Sequence, residues 1–177
     1  YIDRGQDSRG ALARLRAAPL PAFHLMGNHE AMALAALDPL SAPENADLWL
    51  DNGGAATLRS YGADPRDRAT WAAIPAGDRA FMAALRPSLA LGGYLFAHAG
   101  IRPGVPLEGQ SVTDLLWIRE PFLDHRGPHP AVIVHGHTPA EAPELLPNRI
   151  NLDTGAIFGG PLTCGVMEED RIAFLFA

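Results

Sequence analysis

Leu25-Met26-Gly27-Asn28-His29-Glu30 is the stretch from which the fold of this chain is read. Before it, Ala22-Phe23-His24-Leu25-Met26 is short and mostly apolar, as a buried strand is. After it, Ala31 to Leu37 is rich in Ala, Leu and Met, which favour helix. Gly27-Asn28 therefore falls on a strand-to-helix turn, the place where open α/β sheets carry their ligand and catalytic groups. An amide oxygen, an imidazole and a carboxylate at such a turn suit a metal ion or a phosphate. They equally suit a plain turn, with Glu30 as a first-turn acid near the helix dipole.

The rest of the composition narrows the classes. The 177 residues are enough for one domain with a sizeable core, and 47% hydrophobic with 19% charged residues is ordinary for a globular protein. A net charge of −6 argues against nucleic-acid or membrane-surface binding through a broad basic face. All 14 basic residues are Arg, a side chain suited to bidentate phosphate recognition. The single cysteine, Cys164, forms no internal disulfide and is expected in the core; together with the absence of an 18-residue apolar run, it points to a cytoplasmic protein. The chain opens on Tyr1 in what reads as the middle of a motif, so a preceding segment, including a leader, is left open.

Along the chain, Tyr1-Ile2-Asp3-Arg4-Gly5 reads as a strand end running into a glycine turn. Ser8 to Ala17 reads as a helix stopped by Pro19, and Ala22 to Met26 as the next strand. This alternation marks βαβ units. From Asp38 to Arg86 the pattern is that of a helical insertion, broken by prolines, with Asn52-Gly53-Gly54 as a helix stop. Ser88 to Leu91 and Tyr94 to Ala97 flank Gly92-Gly93 as a hairpin. Ala131 to Val134 is a buried strand, and Arg149 to Asp153, Leu162 to Met167 and Arg171 to Phe176 are three more, with turns at Thr154-Gly155 and Glu169-Asp170. The fold class is α/β with a β-rich C-terminal half.

Three of these strands end in a turn with His or Asn beside Gly: Gly27-Asn28-His29, His98-Ala99-Gly100 and Gly136-His137. Neutral imidazoles and an amide oxygen make a ligand set for a borderline divalent cation. Arg4, leaving a strand end, and Arg119, after Trp117, are candidate phosphate clamps, although a surface ion pair would account for either. No Gly-x-Ser-x-Gly elbow, phosphate-binding Gly-Lys loop or dinucleotide fingerprint is present.

In this order, Asp3-Arg4-Gly5, Gly27-Asn28-His29-Glu30, His98-Ala99-Gly100 and Gly136-His137-Thr138 resemble the motifs of the calcineurin-like metallophosphoesterases. Trp49-Leu50-Asp51-Asn52-Gly53-Gly54, Leu116-Trp117-Ile118-Arg119-Glu120 and Asp153-Thr154-Gly155-Ala156 resemble the bacterial and phage branch of the phosphoprotein phosphatases. The resemblance implies one metallophosphoesterase domain over residues 1–177, a four-layer β-sandwich flanked by helices, with the insertion at about 38–86 shaping the substrate groove. It implies two divalent ions (Mn, Fe or Zn), with Asn28, His98 and His137 as ligands of the second, and a metal-activated water that attacks phosphorus. It further implies His29 as general acid oriented by Asp3, and Arg4 with Arg119 on the phosphate oxygens. The implied activity is serine/threonine protein phosphatase. The alternatives are a diadenosine tetraphosphate hydrolase or, from another class, an inactive phosphate-binding remnant. The expected partner is a phosphorylated protein or small phosphoester, with no nucleic acid or membrane.

The family pattern also has an Asp-x-His-Gly segment and a Gly-Asp ahead of the position of Tyr1, which supply the first metal's ligands and the bridging carboxylate. On that comparison the first strands are missing. These 177 residues by themselves are then expected to hold at most one ion, weakly, and to hydrolyse phosphoesters poorly.

Overall fold

Asp7 starts the first helix: its carboxylate accepts from Gly10 N at 2.8 Å, satisfying an amide that the helix leaves open. This helix, α1 (Ser8–Arg16), buries Leu12 and ends before Pro19, as its pattern predicts. The computed structural model describes residues 1–19, 21–168 and 171–177, so the turn expected at Glu169-Asp170 lies outside the described residues. The chain divides into two units, Tyr1–Arg86 and Pro87–Ala177.

In the first unit α1 is followed by α2 (Asn28–Leu37), α3 (Pro43–Trp49), a π-helical turn at Leu50–Gly54, α4 (Ala55–Ser60), a 3-10 turn at Arg68–Ala73 and α5 (Ala76–Ala83). The helical character expected after Asp38 is found. Its core joins Leu12, Met32, Trp49, Leu58, Trp71, Ile74 and Met82. Ala33 and Ala36 are fully buried, and their small side chains let α2 lie close against α3. Trp49 and Trp71 meet edge to face at 5.6 Å.

Four expectations need correction. Tyr1 to Gly5 is not a strand end: among the described residues no strand precedes α1, so the alternation read as βαβ units is absent there. The strand read at Ala22 to Met26 is reduced, among the described residues, to one parallel bridge between Leu25 and Arg86. Met26 N donates to Arg86 O at 2.8 Å and Arg86 N to His24 O at 3.2 Å, while Phe23 is left largely exposed, so the apolar run has a partner only at its end. Asn52-Gly53-Gly54 does not stop the helix. Gly53 takes φ 104°, and the chain returns to helical angles at Gly54. Cys164 is exposed rather than in the core, because the two-stranded ribbon that carries it leaves one face open.

The second unit begins with the expected hairpin, β1 (Ser88–Leu91) and β2 (Tyr94–Ala97). Gly92 and Gly93 have φ 58° and 83°, as a two-residue turn matched to strand twist requires. β3 (Val132–His135) pairs parallel with β2, and β5 (Arg149–Asn151) pairs parallel with β3. β4 (Glu144–Leu145), too short to show a pattern, joins antiparallel to β5 and completes a mixed sheet in the order β1-β2-β3-β5-β4. β6 (Thr163–Glu168) and β7 (Arg171–Phe176) form a separate antiparallel ribbon. The run after Ser111 is a helix, α6 (Val112–Trp117), capped by Ser111 Oγ accepting from Asp114 N at 3.0 Å. Leu95, Ala97, Leu115, Ile118, Phe122 and Ile133 make the core.

His135, 3% exposed at the end of β3, bonds through Nδ1 to Gly136 O at 3.1 Å and through Nε2 to Arg149 Nη1 at 3.3 Å. Burial above all, with the adjacent Arg149 guanidinium, pushes its pKa from 6.5 down to about 4.

Two predictions follow from this packing. A Cβ on Gly54 would lie 2.6 Å from the fully buried Trp49 ring. The gain in helix propensity, about 1 kcal/mol, is smaller than the cost of overpacking, so Gly54→Ala should lower stability by about 1–3 kcal/mol in urea unfolding. The unfolded chain protonates His135 first. Its contribution is therefore fully present above pH 6.5 and lost as pH falls towards 4, by up to about 3 kcal/mol. His135→Gln should flatten that part of the stability profile.

Candidate active site

Directly after the buried Ile2, the chain enters two left-handed residues, Asp3 (φ 71°) and Arg4 (φ 58°). Neither is glycine, and each such residue costs about 1–2 kcal/mol unless its surroundings hold it. Asp3 N donates to Thr57 Oγ1 at 2.9 Å and Ser8 Oγ at 3.2 Å, and Arg4 N to Gly53 O at 3.2 Å. The Asp3 carboxylate is shielded from solvent. His29 Nδ1 lies 2.7 Å from its Oδ2, Thr57 Oγ1 donates to Oδ1 at 2.7 Å, and Trp49 Nε1 stands 3.0 Å from each oxygen. A carboxylate only accepts, so the proton of the His29 pair sits on Nδ1.

His29 is the second residue of α2, and its ring is one-fifth exposed. Asn28, the first, is buried. Glu30, 1% exposed, accepts from Tyr1 N (2.8 Å) and Ile2 N (3.2 Å) on Oε1 and from Gly27 N (2.9 Å) on Oε2. It ties the approach to Asp3 to the turn that carries His29. The Arg4 residue is exposed.

In the second unit the parallel pairing of β2, β3 and β5 sets their C-terminal ends at one edge of the sheet. His98 follows β2 and His137 follows β3, with Gly136 N donating to His98 O at 2.9 Å. His98 Nε2 and His137 Nδ1 are 3.1 Å apart. His137 takes φ 67°, and the Trp117 ring meets it nearly edge-on at 6.3 Å. The Phe122 ring, fully buried, lies against Gly100, where a Cβ would be 2.3 Å away, and contacts His135 at 4.9 Å. Arg119 is exposed just beyond α6.

The structure thus brings together two of the expected pairs, Asp3 with His29 and His98 with His137. Asn28 and Arg4 belong to the first unit and Arg119 to the second. Sequence reasoning gave Thr57 and Ser8 no site role, and Trp49 entered it only within the family motif Trp49-Leu50-Asp51-Asn52-Gly53-Gly54. The usable signal was the Gly53-Gly54 pair in that motif, since glycine is placed where the backbone needs an unusual φ or a close approach.

A family model for calcineurin-like phosphoesterases matches residues 1–176. The chain belongs to that family, whose members use divalent metal ions. Serine/threonine-protein phosphatase 1 of Salmonella typhimurium is 35% identical over 173 residues, which is 92% of this chain and 73% of that protein. The asymmetrical bis(5'-nucleosyl)-tetraphosphatase PrpE of Anoxybacillus flavithermus is 36% identical over 88 residues, covering 41% of this chain and 35% of the relative. A crystal structure described as that of a candidate diadenosine tetraphosphatase matches with TM-score 0.70 at 21% identity, covering 99% of this chain and 76% of the other. At that identity the likeness is one of fold.

The second-unit imidazoles suit such an ion in part. Nitrogen donors at about 2.0–2.1 Å from a tetrahedral ion stand about 3.3 Å apart, close to the 3.1 Å between His98 Nε2 and His137 Nδ1. Among the described residues no three His, Cys, Asp or Glu side chains cluster as a complete ligand set.

Proposed function

We propose that the enzyme expressed from the complete reading frame is a metal-dependent phosphoester hydrolase of the phosphoprotein phosphatase type, removing phosphate from phosphoserine or phosphothreonine. The observation that supports this most is the 2.7 Å bond from His29 Nδ1 to the buried Asp3 carboxylate. It fixes one tautomer and leaves Nε2 as the atom that exchanges a proton with the leaving alkoxide, a task for which imidazole is suited near neutral pH. In the first unit Arg4 supplies an exposed charged donor for phosphate oxygens, and in the second Arg119 does the same. Asn28 on α2 in the first unit, and His98 and His137 at the strand ends in the second, are the residues that would ligate metal. When bound, a divalent ion supplies Lewis-acid polarisation of the phosphoryl group and acidifies water.

Protein phosphatase is preferred because the Salmonella relative of that name matches almost the whole chain, whereas the match to the tetraphosphatase from Anoxybacillus covers less than half. That shorter match, together with the shared fold, supports dinucleoside polyphosphate hydrolysis as the second reading.

Manganese-supplemented assays of the enzyme expressed from its complete reading frame decide between them. Phosphoserine and phosphothreonine peptides should exceed diadenosine tetraphosphate in kcat/KM by at least about tenfold, roughly 1.4 kcal/mol of transition-state preference. The opposite order would establish the second reading. In the same enzyme His29→Asn should lower turnover by about 10²–10⁴-fold while metal content, measured after gel filtration, stays near that of the parent. His137→Ala should lose metal. Unchanged rate and metal in both variants would refute these roles.

A further inference from the structure

We infer that Trp49 and Thr57 are positioning residues for the Asp3–His29 pair, and that the kink at Gly53-Gly54 is the device that brings both to one carboxylate. The inference rests on the role proposed for His29, but it concerns residues to which that role gives no part.

The Asp3 carboxylate needs an orientation as well as a charge. A lone bond to His29 would leave it free to rotate about its Cβ–Cγ bond, and the imidazole would follow. Trp49 Nε1 is equidistant, at 3.0 Å, from Oδ1 and Oδ2, so the indole holds the carboxylate from between its oxygens. Thr57 Oγ1, 2.7 Å from Oδ1, removes the remaining two-fold ambiguity. Oδ1 is committed to Thr57, and Oδ2 is aimed at His29 Nδ1, also at 2.7 Å.

Thr57 acts on the main chain too. Its oxygen accepts from Asp3 N at 2.9 Å and stands 3.0 Å from Ser8 Oγ. A threonine has one proton to give, and the ionised carboxylate is the stronger acceptor, so the Ser8 hydroxyl donates to Thr57. One hydroxyl therefore holds both the left-handed backbone of residue 3 and its side chain.

A straight helix could not present these two donors to one carboxylate. Trp49 and Thr57 are eight residues apart, a rise of about 12 Å in an α-helix. The π-helical turn at Leu50–Gly54 and the φ of 104° at Gly53 break the axis between them. The same two glycines permit the close approaches this demands. A Cβ at Gly53 would lie 2.6 Å from Arg4 Cγ, and one at Gly54 would lie 2.6 Å from the indole.

The test uses the enzyme from its complete reading frame, carrying Thr57→Val, Thr57→Ser or Trp49→Phe, each alone, and Thr57→Val also combined with Asp3→Asn. Valine keeps the shape and removes the hydroxyl. Thr57→Val and Trp49→Phe should each lower kcat about tenfold with KM within about twofold, and Thr57→Ser should restore most of the loss. Added to Asp3→Asn, Thr57→Val should cost less than about twofold more, since both act through one carboxylate. Full kcat in folded Thr57→Val, or multiplicative losses in the double variant, would overturn the inference. Proton NMR reads it without turnover. The His29 Nδ1 proton, protected from exchange by its bond to Asp3, should be lost or broadened in Thr57→Val and retained in Thr57→Ser. An unchanged resonance in Thr57→Val refutes positioning even if the parent hydrolyses no phosphoester, whereas an inactive parent whose resonance responds as expected refutes only the proposed function.

Discussion

A carboxylate removed from water must be hydrogen-bonded on both oxygens, because each unmet acceptor costs on the order of 1–3 kcal/mol and an unpaired charge costs more. Asp3 imposes that constraint on the first unit. Its side chain is shielded from solvent, and the groups that satisfy it come from a helix start (His29), a helix end (Trp49) and a short helix beyond a kink (Thr57). Ser8 and Gly53 complete the arrangement by holding the backbone of residues 3 and 4 in the left-handed region. Much of what looks like ordinary helical packing is therefore arranged around one ionised group.

The second unit answers to a different constraint. Parallel strands register their ends together, so two loops that follow β2 and β3 emerge side by side with no side-chain interaction required. The contact between His98 and His137 follows from that register, from the Gly136–His98 main-chain bond and from Phe122, whose ring supports Gly100 and His135 from below. The hub is apolar where that of the first unit is ionic. Both hold an imidazole by its surroundings.

What could be read in the sequence was whatever depends on period and position. The Gly92-Gly93 hairpin, the strand at residues 131–134, the helical run after Asp38 and the His and Asn residues at element boundaries all leave such marks, and all are found. The pairing of Asp3 with His29 followed only from the family resemblance, since 26 positions separate them in sequence. Three features were not legible, each because a tertiary partner decides it. Leu25 has the composition of a strand residue, but its ladder is one bridge long. Gly53-Gly54 has the composition of a helix stop, but the close approach of Arg4 and Trp49 makes it a kink. Thr57 and Ser8 are unremarkable in any local window, and only the folded position of Asp3 gives them a task.

The segment after Asp38 looks like a module in the linear sequence, a helical cassette set between two motif-bearing halves. The inward direction of Trp49 and Thr57 limits how modular it can be. Exchanging the whole cassette for that of a relative would remove the partners of the Asp3 carboxylate, unless the graft also brings an indole and a hydroxyl to the same place. The exposed Leu48 and Asp51 lie in the same segment but outside this arrangement. The kinked helix thus divides positions committed to one carboxylate from positions that are not.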